Sequence, residues 1–166
     1  MWITDKTKYA LLEPVEKYLT PEAVAEIKKA AENKYGNMYD LTFERFYNCA
    51  NGDFSHIGIN PSRPTVLQVY WCKRFADFTQ EFIQLLQTLT PKPNPEETRA
   101  AQGLLKTDFG ESMLVFLQQW FGCRSYKEAE QITIGELIIA KRAQYNQDKY
   151  RRQLAKIQTE KYKRKR

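Results

Sequence analysis

The chain has 166 residues, of which 42% are hydrophobic and 13% aromatic, so it is long and apolar enough for one packed domain and is not globally disordered. Its three cysteines, Cys49, Cys72 and Cys123, are too widely spaced for a disulfide framework, and its longest purely apolar runs, such as Leu137 to Ala140, fall far short of the ~20 residues that span a bilayer. The net charge is +6 and is unevenly placed: residues 1–140 carry 15 Lys/Arg against 18 Asp/Glu, and residues 141–166 carry 11 against two.

The first dozen residues mix Asp5, Lys6 and Lys8 with apolar groups, so no signal peptide is expected. Up to Leu19 the reading stays open, because Tyr9, Leu12, Val15 and Tyr18 have near-helical spacing while Pro14 breaks or begins a helix. Thr20 as cap, Pro21 and Glu22 in the first turn, apolar Val24, Ile27, Ala31 and Tyr35, and the stop Gly36 predict a helix over 21–35. A short helix is expected at 41–50, with Phe43, Phe46 and Tyr47 apolar, ended by the turn Asn51-Gly52-Asp53. Pro61 and Pro64 make 51–64 a loop, with room for a short hairpin.

From Pro64 to Leu89 there is no internal Gly or Pro, and Leu67, Trp71, Phe75, Phe78, Phe82, Leu85 and Leu89 recur at three- and four-residue steps. This predicts a long helix at about 64–89. Its aromatic seam fits the centre of a bundle better than a dimeric coiled coil, which prefers Leu, Ile and Val. Pro91, Pro93 and Pro95 form a stiff connector. Four polar caps then stand three residues before a Glu: Asn94–Glu97, Asp108–Glu111, Ser125–Glu128 and Thr133–Glu136. They predict helices at 95–106, 109–121, 126–131 and 134 onward. In the second of these, Phe109, Met113, Phe116, Leu117 and either Trp120 or Phe121 form the buried face, since two adjacent aromatics cannot both face one core. The last helix opens on core-forming Ile134, Leu137, Ile138 and Ala140, thins to Ala143, Tyr150, Leu154 and Ile157, and should fray over Lys161 to Arg166.

The fold expected is therefore an all-α helical bundle at 1–140 around the helix at 64–89, with a basic helical extension at 141–166. Little in it marks chemistry. His56 is the single histidine, and Cys49 lies seven residues before it, a conceivable nucleophile pair. No Cys or His pair has zinc-site spacing, and the seven glycines form no phosphate-cradling loop, so no metal, cofactor or nucleotide site is expected. Glu96–Glu97 and Glu128–Glu130 lie in first turns, where capping accounts for them. The aromatic run Tyr70, Trp71, Phe75, Phe78 and Phe82 could stack bases, but its helical spacing favours a core. Lys149, Arg151, Arg152, Lys156, Lys161, Lys163, Arg164, Lys165 and Arg166, interleaved with Tyr145, Tyr150 and Tyr162, could neutralise phosphates, dock an acidic protein surface, or only solubilise the end of the chain.

The segment Glu111-Ser112-Met113-Leu114-Val115-Phe116, Trp120-Phe121-Gly122, Ser125, Glu128-Ala129-Glu130 and Thr133 resembles small helical proteins encoded among bacteriophage structural genes, particularly tail-assembly-chaperone-like ones. The resemblance spans Glu111 to Asn146, about a fifth of the chain, and implies a role in virion structure or assembly without assigning any site residue. The function expected is that of a non-enzymatic interaction protein, in the host cytoplasm or virion. Its partners would be other proteins, among them phage structural proteins or a second copy, and not a membrane. The alternative is a nucleic-acid-binding protein that uses the basic helix.

Overall fold

A computed structural model describes residues 19–59, 65–90, 99 and 108–164, with side chains as far as Lys161. Every α-helix in those residues starts behind a side chain that accepts a hydrogen bond from a free backbone amide of the first turn, which would otherwise be unsatisfied. Thr20 caps α1 (Pro21–Tyr35), Thr42 caps α2 (Phe43–Ala50) and Thr65 caps α3 (Val66–Leu89). Asp108 caps α4 (Phe109–Phe121), Ser125 caps α5 (Tyr126–Glu130), and Thr133 caps α6 (Ile134–Arg164) through the Glu136 amide at 3.2 Å. Two boxes are reciprocal: Gln68 accepts from the Thr65 amide at 2.8 Å, and Glu136 accepts from the Thr133 amide at 2.9 Å. Gly36 and Gly122 end α1 and α4 at positive φ, where a side chain would be strained.

The architecture is an all-α bundle, and no strand occurs among the described residues. The central helix starts at Val66 rather than residue 64, because Thr65 is drawn out of the helix to act as its cap. Likewise α2 starts at Phe43, behind Thr42. The 51–59 part of the expected loop folds as a single 3-10 turn at Ser55–Ile57, and α6 is helical through Arg164, past the point where fraying is expected. Of the helix expected at 95–106 only Arg99 is described, and it is helical; the Asn94–Glu97 cap, the proline connector and the opening residues to Tyr18 lie outside the described residues.

The core is an aromatic stack seated on α3. Trp71, Phe75, Phe78, Phe82 and Leu86 are buried along it, as is Thr79, whose hydroxyl donates to the Phe75 carbonyl at 2.8 Å. The short helix α2 drives Phe46 into that row, with ring centroids 5.4 Å from Phe75, 6.3 Å from Phe78 and 5.2 Å from Phe82. Tyr35 of α1 meets Trp71, and Phe54, from the turn after α2, meets Phe75 edge-on. Offset and edge contacts of this kind add about 0.5–1.5 kcal/mol per pair beyond burial. In the first turn of α4, Gly110 lies against the Tyr47 ring so closely that an added Cβ would stand 2.7 Å from two ring atoms. Glycine there lets α4 approach α2.

A second device joins segments some 90 residues apart in the chain. Thr42 and Thr133 form an isolated antiparallel bridge: Phe43 N–H donates to the Ile132 carbonyl at 2.8 Å, and Ile134 N–H donates to the Leu41 carbonyl at 2.9 Å. The starts of α2 and α6 are thereby pinned side by side. The Gln131 amide donates to the Glu44 carboxylate across the same junction at 3.2 Å, and Gly135 leaves room for the Tyr39 carbonyl.

Two substitutions test this core. Phe46→Ala removes the ring that three others touch and should cost about 3–5 kcal/mol in a denaturant titration; a loss below about 1 kcal/mol would show that the ring is not packed as described. Tyr35 Oη is buried without a hydrogen-bond partner among the described residues. Leaving such a group unsatisfied costs about 1–3 kcal/mol, so Tyr35→Phe should hold or raise the unfolding midpoint, and a clear drop would reveal a partner for that hydroxyl.

Candidate interaction surface on the last helix

The first turns of α6 belong to the core: Ile134, Leu137, Ile138 and Ala140 are all buried. Lys141 marks the edge. Its ammonium sits 3.5 Å above the Phe116 ring and donates to Gln144 at 3.4 Å, and burial pushes its pKa down. From Lys149 to Lys161 every side chain is exposed. The charge boundary at residue 141 therefore falls within one continuous helix, and the solvent boundary follows two turns later.

That exposed stretch presents two different faces. Ile139, Tyr150, Leu154 and Ile157 are 68%, 64%, 40% and 50% exposed, and at about 100° per residue they fall within roughly 60° of one another around the helix. Ala143 and Asn146 lie on the same line. About a third of a turn away, Lys149, Arg152 and Lys156 point with Tyr145 toward the end of α3 across a groove of about 640 Å³, whose far wall includes Thr88 and Thr90. Among the described residues no carboxylate pairs with these three cations.

The structure thus divides the basic residues that the sequence singles out. Lys149, Arg152 and Lys156 share the groove; Arg151 and Lys161 are exposed on other parts of the helix. Lys163 and Arg164 continue the helical backbone, and Lys165 and Arg166 lie outside the described residues. The contribution of α3 is missed by sequence reasoning, since nothing local links Thr88 and Thr90 to residues some 60 positions later. The spacing of 149, 152 and 156 at i, i+3 and i+7 is the signal that could have separated them from Arg151.

The other candidates have structural surroundings. His56 Nε2 lies 3.4 Å from the exposed Asp53 carboxylate, which is held below its usual range chiefly by the Ser55 hydroxyl and amide. Cys49 is fully buried, and desolvation first, then Cys72 and Asp53, push its thiol up to about 12. Burial likewise pushes Cys72 up to about 11. A thiol held that high is protonated at neutral pH and is not an activated nucleophile. No group of three or more metal-ligating side chains gathers among the described residues. Glu128 accepts from the Arg124 amide at 2.7 Å, a capping role. The aromatic run of α3 is core, with Trp71, Phe75, Phe78 and Phe82 unavailable for stacking. Of the adjacent pair on α4, Trp120 packs on Phe116 with centroids 5.6 Å apart, and Phe121 is the one turned outward, 42% exposed. No described helix is long and apolar enough to cross a membrane. Compared with protein-family models, curated proteins and solved structures, the chain matches none.

The thiols give a test of this burial. Folded-state values raised above the ordinary 9.0 mean that the unfolded chain loses these protons first. The stability they confer is whole below about pH 9 and declines as pH climbs toward 11–12. In the native protein at pH 8, iodoacetamide should label Cys123 well before Cys49 or Cys72, which should react only on unfolding. A Cys49→Ala, Cys72→Ala variant should lose less stability between pH 9 and 11. Equal labelling of all three thiols would refute the assignment.

Proposed function

We propose that this is a non-enzymatic interaction protein whose helix α6 receives an amphipathic helix of an acidic partner protein. The supporting observation is the apolar line of Ile139, Tyr150, Leu154 and Ile157, left in water on a helix otherwise rich in charge. Large apolar side chains repeated along one helix face are the anchors of helix-to-helix docking. Fully burying one such side chain stabilises by about 1.5–3 kcal/mol. Tyr150, Leu154 and Ile157 begin about half exposed, so together they contribute about 2–4 kcal/mol on that scale, too little to offset the cost of association alone. Charge must supply the remainder, and the 11 basic against two acidic residues of 141–166 select an acidic surface. A second copy would bring like charges together, so a different protein is favoured. The resemblance of Glu111 to Asn146 to tail-assembly-chaperone-like proteins suggests bacteriophage virion assembly as the setting.

Solution mass by light scattering, with the product of each neighbouring gene in turn, tests the reading. A stoichiometric complex is expected with a neighbour that carries an acidic amphipathic helix, and it should weaken as salt rises. Leu154→Glu with Ile157→Glu should abolish the complex while leaving circular dichroism and unfolding midpoint unchanged. No complex with any neighbour, or one indifferent to the paired substitution, would sink the proposal.

A further inference from the structure

We infer that the groove between the end of α3 and the exposed part of α6 binds single-stranded nucleic acid, with Lys149, Arg152 and Lys156 holding successive phosphates and Tyr145 offering a ring to a base. The groove is turned about a third of the way around α6 from the apolar line on which protein docking rests.

Three observations carry it. The first is charge that the fold does not use. The cations face the C-terminal end of α3, whose free carbonyls amount to roughly half a negative charge. The Thr88 and Thr90 hydroxyls already donate to the Leu85 and Leu86 carbonyls there, at 2.7 and 2.8 Å. Three full positive charges far exceed what that helix end needs. With no carboxylate paired to them among the described residues, an anion is the missing partner.

The second is the shape of the charge. Lys149, Arg152 and Lys156 run along one side of the helix over about 10.5 Å at 1.5 Å per residue. A small anion meets one or two such groups. A phosphodiester strand, with one charge at every nucleotide, meets all three.

The third is what lies beside the cations. Tyr145 lines the groove and is only partly buried, and aromatic rings beside a basic track are how sequence-tolerant single-strand sites hold bases. Because the Thr88 and Thr90 hydroxyl protons are spent on backbone carbonyls, their oxygens remain as acceptors for base N–H groups. An acidic peptide has no use for the ring and offers fewer donors to those oxygens.

The experiment is fluorescence anisotropy with a labelled single-stranded oligonucleotide of about 12 nucleotides, a length within single-strand site sizes, titrated with the full-length protein across a salt series. Three neutralised phosphates on a single strand give a log–log slope near −2, so a fourfold rise in salt should weaken binding about 20-fold. Lys149→Gln with Lys156→Gln should cut the slope to about −0.7 and weaken binding at least tenfold at 0.1 M salt. Arg151→Gln with Lys161→Gln removes the same charge from the same helix outside the groove, and should change affinity less than about threefold. Tyr145→Leu should weaken binding about fivefold or more without altering the slope. All these side chains except Tyr145 are exposed, so circular dichroism should be unchanged in both lysine and arginine pairs. The proposal is overturned by absence of binding at 0.05 M salt, by equal losses from the two pairs, by equal affinity for duplex of the same length, or by equally effective displacement with polyglutamate of matched charge.

Discussion

The insertion of Phe46 into the aromatic row of α3 is the contact on which the rest of the fold depends. A helix of eight residues is too short to hold its own shape in water. It persists because its buried side, Phe43, Phe46, Cys49 and Ala50, is locked against a helix three times as long. With α2 fixed, the turn that follows brings Phe54 onto Phe75, and the segment before it lays Tyr39 on Phe78. Few aliphatic contacts could do this, because one ring in the middle of a row touches several others at once.

Once α2 is placed, the backbone bridge between Thr42 and Thr133 fixes where α6 begins. Two helix starts side by side bring two partial positive ends together. The arrangement is tolerable because Glu44 and Glu136 sit in those first turns, each also tied by a hydrogen bond at the junction. Glycine at 135 permits the approach to Tyr39 that a larger residue would resist. Burial then holds the first two turns of α6, and the helix runs on beyond the body with no Gly or Pro to interrupt it.

Much of this is legible in the sequence because helix starts are local chemistry. Asp108, Ser125 and Thr133 announce themselves through a Glu three positions on, Thr20 through Pro21 and Glu22 directly after it, and the structure uses each one. Thr42 and Thr65 escape notice for a different reason: neither has a Glu at the third position after it, and Gln68 performs the same reciprocal bond less conspicuously. The buried side of α3 is also broader than a heptad seam implies. Thr79 and Leu86 are buried, while Leu67 and Leu85 are only partly so. A globular helix covers a strip wider than a two-position seam, since it meets neighbours on more than one side. The surface on α6 is half legible. Its charge and apolar spacing can be read from the chain, but the wall supplied by α3 depends on a tertiary approach that no local pattern encodes.

An uninterrupted helix clamped at one end is a lever. From Thr133 to Ile157 the rod is about 36 Å long at 1.5 Å per residue. A load applied near Ile157 arrives at the junction with α2 as a torque, amplified by that length. The joint that resists it consists of two backbone hydrogen bonds, the Gln131–Glu44 bond and the buried aliphatic side chains Ile134, Leu137, Ile138 and Ala140, stiff in compression but peeled one bond at a time when pulled sideways. Whatever binds far along α6 therefore loads the junction with the start of α2, and the direction of pull, as much as its strength, decides how firmly that junction holds.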